Sequence, residues 1–298
     1  LKYNFNINTY HNKKNKPVTK CANCFSEKKE FYITKTMPDF RINLLSKSLA
    51  EKFYIRAIGK CLDCNLIQEY YKFDENDLDR YFKEIISKDE TIGEEAWKSF
   101  PVPDDYKQFL FLRHFKNRFT EWKKSNFIQV SKIDNILLLR PTLGFLVGFC
   151  EEMFPNSKID YLDISKISQK TISKDYPRVK NLEGNIHGSF KGDFLRKESN
   201  YDLIITNHLL IHCLNIDETL KQLKYILSDN GLMILTDEIN VKYHNPFHIN
   251  FWDENVFFDI LNKRFKRVNI LRNCGFPTYS TSPFTKNKDN PDFFVFKN

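Results

Sequence analysis

Four of the seven cysteines stand in two pairs, Cys21-Ala22-Asn23-Cys24 and Cys61-Leu62-Asp63-Cys64. A C-x-x-C pair bends the chain so that two thiolates face one cation, and two such pairs complete a tetrahedral sulfur shell, the chemistry of a zinc site. The 36 residues between the pairs exceed the usual ribbon spacing and require an inserted loop. A redox dithiol is the competing reading. It needs a strand-to-helix junction in a thioredoxin-like pattern, which neither pair has. A disulfide framework suits small secreted chains better than one of 298 residues. Cys21, Cys24, Cys61 and Cys64 are therefore expected to bind one zinc. A closed four-sulfur shell leaves no open coordination position, so that metal would hold the fold and perform no chemistry. Cys150, Cys213 and Cys274 lie in apolar surroundings and read as buried small hydrophobes.

The composition, 41% hydrophobic and 28% charged, supplies enough apolar material for a real core and excludes a largely disordered chain. With only 9 glycines and 11 prolines, collagen-like and Gly/Pro-rich low-complexity architectures are excluded too. The 46 basic residues outnumber the 38 acidic ones, but as lysines spread over the whole length, with no Arg-rich block and no RNP-like aromatic motif. Nucleic acid is thus not the expected partner. The positive field suits a phosphorylated small molecule such as a nucleotide-linked sugar. Residues 2–20 are polar, with no apolar core of a signal peptide. The longest apolar stretch, residues 136–150, is interrupted by Arg140 and Pro141 and is too short to cross a bilayer. A cytoplasmic protein without a membrane span is expected, its oligomeric state left open.

Three regions follow along the chain. Residues 1–72 hold the cysteine pairs and are expected to form a small zinc-binding, ribbon-like domain. Residues 73–130 show amphipathic helical stretches, with Leu78, Tyr81 and Ile85 on one stripe and another over residues 106–122, and read as a helical linker or cap. From 131 to 298 apolar strands alternate with helices. The strands fall near 133–139, 158–164, 179–185, 201–206, 232–236, 265–271 and 292–296. Helices open at Gly144, Ser165, Asn215 and Asp253, and Asp229-Asn230-Gly231 supplies a turn. This alternation calls for an α/β fold, a Rossmann-like, doubly wound and mostly parallel seven-stranded sheet with helices on both faces. Ligands of such sheets sit at the carboxyl ends of the strands, which places Arg140 to Gly144, Asp163, Asn185 and Asn207 around one crevice.

The run Tyr201-Asp202-Leu203-Ile204-Ile205-Thr206-Asn207, followed by a helix and Leu227-Ser228-Asp229-Asn230-Gly231-Leu232-Met233-Ile234-Leu235, resembles the fourth and fifth strands of class I S-adenosylmethionine-dependent methyltransferases. Two C-x-x-C pairs ahead of that domain are similar to the zinc-ribbon-bearing methyltransferases of sugar biosynthesis, which include C-methyltransferases of nucleotide-linked deoxysugars. The resemblance covers nearly the whole chain and is weakest over residues 73–124.

The resemblance implies S-adenosylmethionine as cofactor, yet the cofactor loop departs from the family pattern. Where members carry an acidic residue and G-x-G-x-G, this chain reads Leu138-Leu139-Arg140-Pro141-Thr142-Leu143-Gly144. Arg140 and Thr142 replace the first two glycines, whose lack of a side chain lets backbone approach cofactor. Pro141 also removes an N–H donor. Either the cofactor binds in an adjusted way, with Arg140 pairing its carboxylate, or the site has decayed. Asp163 closes the second strand where a carboxylate accepts from the ribose hydroxyls, unless it is an ordinary strand-terminating Asp. Gly184-Asn185 or Gly192-Asp193 would meet the adenine, with spacing favouring Asn185.

For the chemistry, the resemblance points to two histidines. His212 follows Asn207 by five residues, matching the Asn-x4-His of the sugar C-methyltransferases. His248 follows the fifth strand, where those enzymes carry the second His of a His-Glu-His segment; here Pro246 and Phe247 precede it, and His244 lies nearby. Either could remove a proton from the acceptor; a core histidine is the plain alternative for His212. His208 would line the pocket wall, and Tyr243, Trp252 and Tyr279 are aromatics that either stack on a substrate or fill the core. The leading expectation is a small-molecule methyltransferase whose acceptor is a nucleotide-linked sugar or saccharide of surface polysaccharide synthesis. Its rivals are a non-catalytic relative and an RNA methyltransferase, the latter disfavoured because Asn207 is followed by His208-Leu209 and not by the Pro-Pro-aromatic of base N-methyltransferases.

Overall fold

A computed structural model describes residues 20–35, 55–69, 132–141, 144–163, 166–185, 191–192, 200–207, 209–237, 239, 248–272 and 291–298. The helical segment expected over residues 73–130 lies outside the described residues, as do Thr142, Asp193, His208, Tyr243, His244, Pro246, Phe247, Cys274 and Tyr279.

Near the N-terminus, β1 (Lys29–Lys35) and β2 (Ile55–Cys61) pair antiparallel, from Lys29 opposite Cys61 to Lys35 opposite Ile55. This pairing answers the long spacing between the cysteine pairs. The strands run out from the cysteines and back, so the inserted residues leave the four thiols together. β3 (Ile67–Glu69) pairs with β2. The fourth strand of this sheet comes from far along the chain: β11 (Asn250–Phe251) pairs antiparallel with β3, Asn250 opposite Gln68 and Phe251 opposite Ile67.

The large sheet has seven strands: β4 (Asn135–Leu139), β5 (Lys158–Leu162), β6 (Lys180–Asn181), β9 (Tyr201–Asn207), β10 (Leu227–Thr236), β12 (Lys266–Arg272) and β13 (Pro291–Lys297). They lie in the order β12-β13-β10-β9-β4-β5-β6, parallel from β10 to β6, with β13 antiparallel to both its neighbours. The order reverses between β4 and β9, the switch point at which such sheets open a crevice. A separate two-stranded hairpin, β7 (Gly184–Asn185) with β8 (Lys191–Gly192), stands beside the sheet.

Period-two patterning puts alternate side chains of each strand on opposite faces. Leu137, Leu139, Ile204, Met233 and Leu235 join one apolar cluster; Ile136, Leu138, Leu203, Ile205 and Ile234 join the other. The second cluster is closed by α1 (Phe145–Met153) and α2 (Lys166–Asp175), through Leu146, Val147, Phe149, Cys150 and Ile172. The first is closed by α3 (Ile216–Ile226) and α4 (Glu254–Asn262), and it also takes in Cys21, Cys61 and Leu66 of the cysteine module. Both faces are covered, as the continuous apolar strands require. α3 starts where Asn215 accepts from the Glu218 N–H at 3.0 Å, and α4 where Asp253 accepts from the Val256 N–H at 2.9 Å.

One turn differs from the reading of the sequence. Asp229-Asn230-Gly231 does not precede the fifth strand but sits inside it. Leu227 pairs with Tyr201 and Leu232 with Leu203, so the intervening residues bulge out between two paired stretches. A Cβ on Gly231 would lie 2.7 Å from Leu227 Cδ1 and 2.9 Å from the Ser228 carbonyl, which is why glycine stands there.

Candidate functional site

The two cysteine pairs fold into near-identical knuckles. In the first, Cys21 N–H donates to the Ser26 carbonyl (2.9 Å) and Phe25 N–H to the Cys21 carbonyl (3.0 Å). In the second, Cys61 N–H donates to Leu66 (2.8 Å) and Asn65 N–H to Cys61 (3.0 Å). Phe25 and Asn65 both take φ 60°, the left-handed turn that reverses the chain after the second cysteine of each pair. The four sulfurs lie within 4.8 Å of one another, with Cys21–Cys64 and Cys24–Cys61 each at 3.5 Å. A disulfide needs about 2.05 Å, whereas a tetrahedron with Zn–S of about 2.3 Å has edges of ~3.8 Å. The donor set, closed and all sulfur, fits zinc. Crowding divides the thiols: hydrogen bonding to Cys21 draws Cys64 down, while the same bond pushes Cys21 up and burial lifts Cys24. A cation at the centre would let all four ionise.

At the carboxyl ends of β4, β5 and β9, Leu139 faces Leu162 on one side and Thr206 on the other. Immediately beyond, Arg140 takes φ 58° and its N–H donates to the Leu162 carbonyl at 2.9 Å. A non-glycine residue thus holds the left-handed conformation that a glycine loop would supply, against a local strain of roughly 1–2 kcal/mol. Pro141 is buried. Asp163, only 5% exposed, follows β5 at the same end of the sheet, its carbonyl accepting from the Gln169 amide. Gly144 takes φ 88° and caps α1. Its missing Cβ, with that of Gly148 one turn later, makes room for Tyr176: a methyl would come within 3.1 Å of the Tyr176 ring at Gly144 and 2.4 Å of its oxygen at Gly148. In the hairpin, Gly184 pairs with Gly192 and Asn185 with Lys191. β9 ends at Asn207.

His212 and His248 lie 36 residues apart, and the structure brings them together. Their rings meet edge to face, 5.2 Å between centroids at 73°, and both are buried. His212 ends a 3-10 turn, Leu210–His212, that follows β9. Three groups hold this turn. The Asp237 carboxylate accepts from the Leu210 and Ile211 N–H groups, both at 3.2 Å. The Asn250 side-chain NH₂ donates to the carbonyls of Leu210 (2.8 Å) and Cys213 (2.6 Å). Ile249 N–H donates to the Ile211 carbonyl at 2.9 Å. Burial pushes the Cys213 thiol up to about 12, opposed by the hydrogen bond it accepts from the Thr219 hydroxyl. Trp252 packs against Phe257, 5.3 Å between ring centroids, in the core.

Asp237 and Asn250 were not singled out by sequence reasoning. The available signal was slight: polar residues that end a buried strand and flank an aromatic pair. No family model and no curated protein matches this chain. Among solved structures it superposes on the 1,6-didemethyltoxoflavin-N1-methyltransferase of Burkholderia thailandensis, determined with 1,6-didemethyltoxoflavin and S-adenosylhomocysteine bound, with a TM-score of 0.50. Identity is 11%, over 80% of this chain and 97% of that one. The N-methyltransferase NodS from Bradyrhizobium japonicum WM9, in complex with S-adenosylhomocysteine, gives a TM-score of 0.44 at 14% identity, over 68% and 91% of the chains. At these identities the likeness is one of fold: the chain has the Rossmann-like fold seen in methyltransferases.

Proposed function

We propose that this chain is an S-adenosylmethionine-dependent methyltransferase acting on a small molecule, with a nucleotide-linked sugar as the acceptor class, working in the cytoplasm. The observation that carries the reading is the switch point of the sheet, where left-handed Arg140 and buried Asp163 stand just past the ends of adjacent parallel strands. The residues fit the cofactor in chemical type: Asp163 as acceptor for the ribose hydroxyls, Arg140 for the carboxylate, and Asn185 or Asp193 beside the adenine. Thr142, Gly144 and Asn207 complete the expected wall. When bound, the cofactor supplies an electrophilic methyl on a sulfonium.

The chain's own part is to hold the acceptor in line and to take its proton. His248 is assigned as the base and His212 as the residue that orients the acceptor, both in a buried site where positioning counts for most of the acceleration. The cysteine module, residues 1–72, carries structural zinc in this reading, and residues 131–298 form the catalytic domain.

Calorimetric titration of the purified chain with S-adenosylmethionine and S-adenosylhomocysteine tests the reading; micromolar binding is expected, followed by methyl transfer to a panel of nucleotide sugars. One observation favours a second reading, a binding module that has lost catalysis: the buried Pro141 and the side chain of Arg140 replace the glycine surface on which cofactor would lie. Absent or millimolar binding in the same titration selects that reading.

A further inference from the structure

The strand that completes the cysteine module's sheet begins two residues after His248, and this juxtaposition has a functional consequence. β11 pairs with β3, six residues past Cys61, and Glu69 N–H donates to the Ile249 carbonyl at 2.7 Å. In extended chain, residues two apart share a face. Asn250 and His248 therefore face the 3-10 turn together, Asn250 bonding its carbonyls and His248 meeting His212. A second strut comes from the first knuckle. Gln68, opposite Asn250, accepts from the Ala22 N–H at 2.7 Å, and the Ala22 carbonyl accepts from Ile216 N–H (3.1 Å) at the start of α3. The turn bearing His212 is thus tied to the cysteine module indirectly, through β11 on one side and, beyond Cys213, through the Ala22–Ile216 bond at the start of α3; His248 is tied to it through the strand pairing of β11.

We propose that Asn250 is a positioning residue through which the metal-bound cysteine module sets the geometry of the His212–His248 pair. The inference rests on reading that pair as the reacting residues, and it adds the means by which they are held. Removing the Asn250 donor leaves the turn with only Asp237 and Ile249 as partners among the bonds described above. Removing the metal loosens β3, and with it β11 and His248.

The test uses the full chain loaded with zinc, Asn250→Ala, and the wild type stripped of zinc by a chelator and then reloaded. The ring Cε1–H signals of His212 and His248, assigned with single His→Gln variants, report the pair; amide exchange at Ile211, His212, Cys213 and Ile249 reports the turn. Asn250→Ala should keep its zinc and its far-UV circular dichroism, shift both ring signals, and speed exchange at those amides by about tenfold or more, as expected for two lost hydrogen bonds. Zinc removal should shift the same two signals, and reloading should restore them. Unchanged ring signals in Asn250→Ala, or signals indifferent to zinc, overturn the proposal. So does global unfolding in either case, which would make Asn250 or the metal a general staple, and so does a chain that takes up no zinc. None of these readouts needs the cofactor, so failure of the methyltransferase reading appears separately, in the titration with S-adenosylhomocysteine.

Discussion

Arg140 occupies a backbone position made for glycine, and in the proposed function its guanidinium pairs the cofactor carboxylate. Two effects oppose each other there. Left-handed φ costs an L-residue roughly 1–2 kcal/mol, while a charge-assisted hydrogen bond to a carboxylate contributes about 1.5–3 kcal/mol. Arg140→Gly should therefore melt no lower than the parent, by scanning fluorimetry. Its affinity for S-adenosylhomocysteine should fall about tenfold or more in the calorimeter; tighter binding would mean that the guanidinium only obstructs. His248 gives the complementary expectation. A general base contributes about 10²–10⁴-fold, so His248→Ala should lower kcat by about that much on the true acceptor while cofactor affinity holds. Normal melting with full turnover removes His248 from the chemistry. Joint loss of stability, binding and turnover assigns it to the core, in which its ring is buried.

At the scale of elements, Gly144 and Gly148 act as packing residues of α1. Gly144 and Gly148 form a groove for Tyr176, which follows α2. Gly148→Ala should cost about 1–3 kcal/mol by urea denaturation, since a methyl 2.4 Å from the phenol oxygen overpacks the contact. Tyr176→Phe in the same chain should recover part of that loss; no recovery would show that the strain lies elsewhere. The strands and helices of the large sheet were legible in the sequence because each carries its own periodicity: Ile136 to Leu139 and Leu203 to Ile205 are continuous buried runs, and Asn215 and Asp253 cap the helices they precede. The cysteine cluster was legible because its chemistry needs fixed spacing. β11 was not. Two residues have no period, and their partners in β3 lie nearly two hundred positions away. For the same reason Asn250 and Asp237, which act on backbone groups across the fold, left no local mark. The bulge in β10 was read as a turn, correctly in composition and wrongly in place, because local sequence does not say whether a strand resumes its pairing.

Among the described residues, the four-stranded and seven-stranded sheets share one apolar cluster. Cys21, Cys61 and Leu66 belong to the same cluster as α3, α4 and the inner face of β4, β9 and β10. No helix among the described residues is long and apolar enough to cross a membrane. Metal at the cysteines therefore supports more than the small sheet. Structural zinc binds with about 10–16 kcal/mol in small zinc modules, as large as the ~5–15 kcal/mol that holds a typical domain folded. A four-stranded sheet whose last strand has two residues has little else to hold it. Metal analysis should find about one equivalent of zinc, lost in Cys61→Ser. In that variant, exchange protection should disappear from β1, β2, β3 and β11 but persist in β4, β5, β9 and β10, whose other face packs on α1 and α2 in a cluster without the knuckles. The remaining transition should come at a lower temperature, because the faces of α3 and α4 that Leu66 and the cysteines covered are then wet. Full zinc in Cys61→Ser would refute the four-sulfur assignment, and loss of protection in both sheets together would show that they fold as one unit.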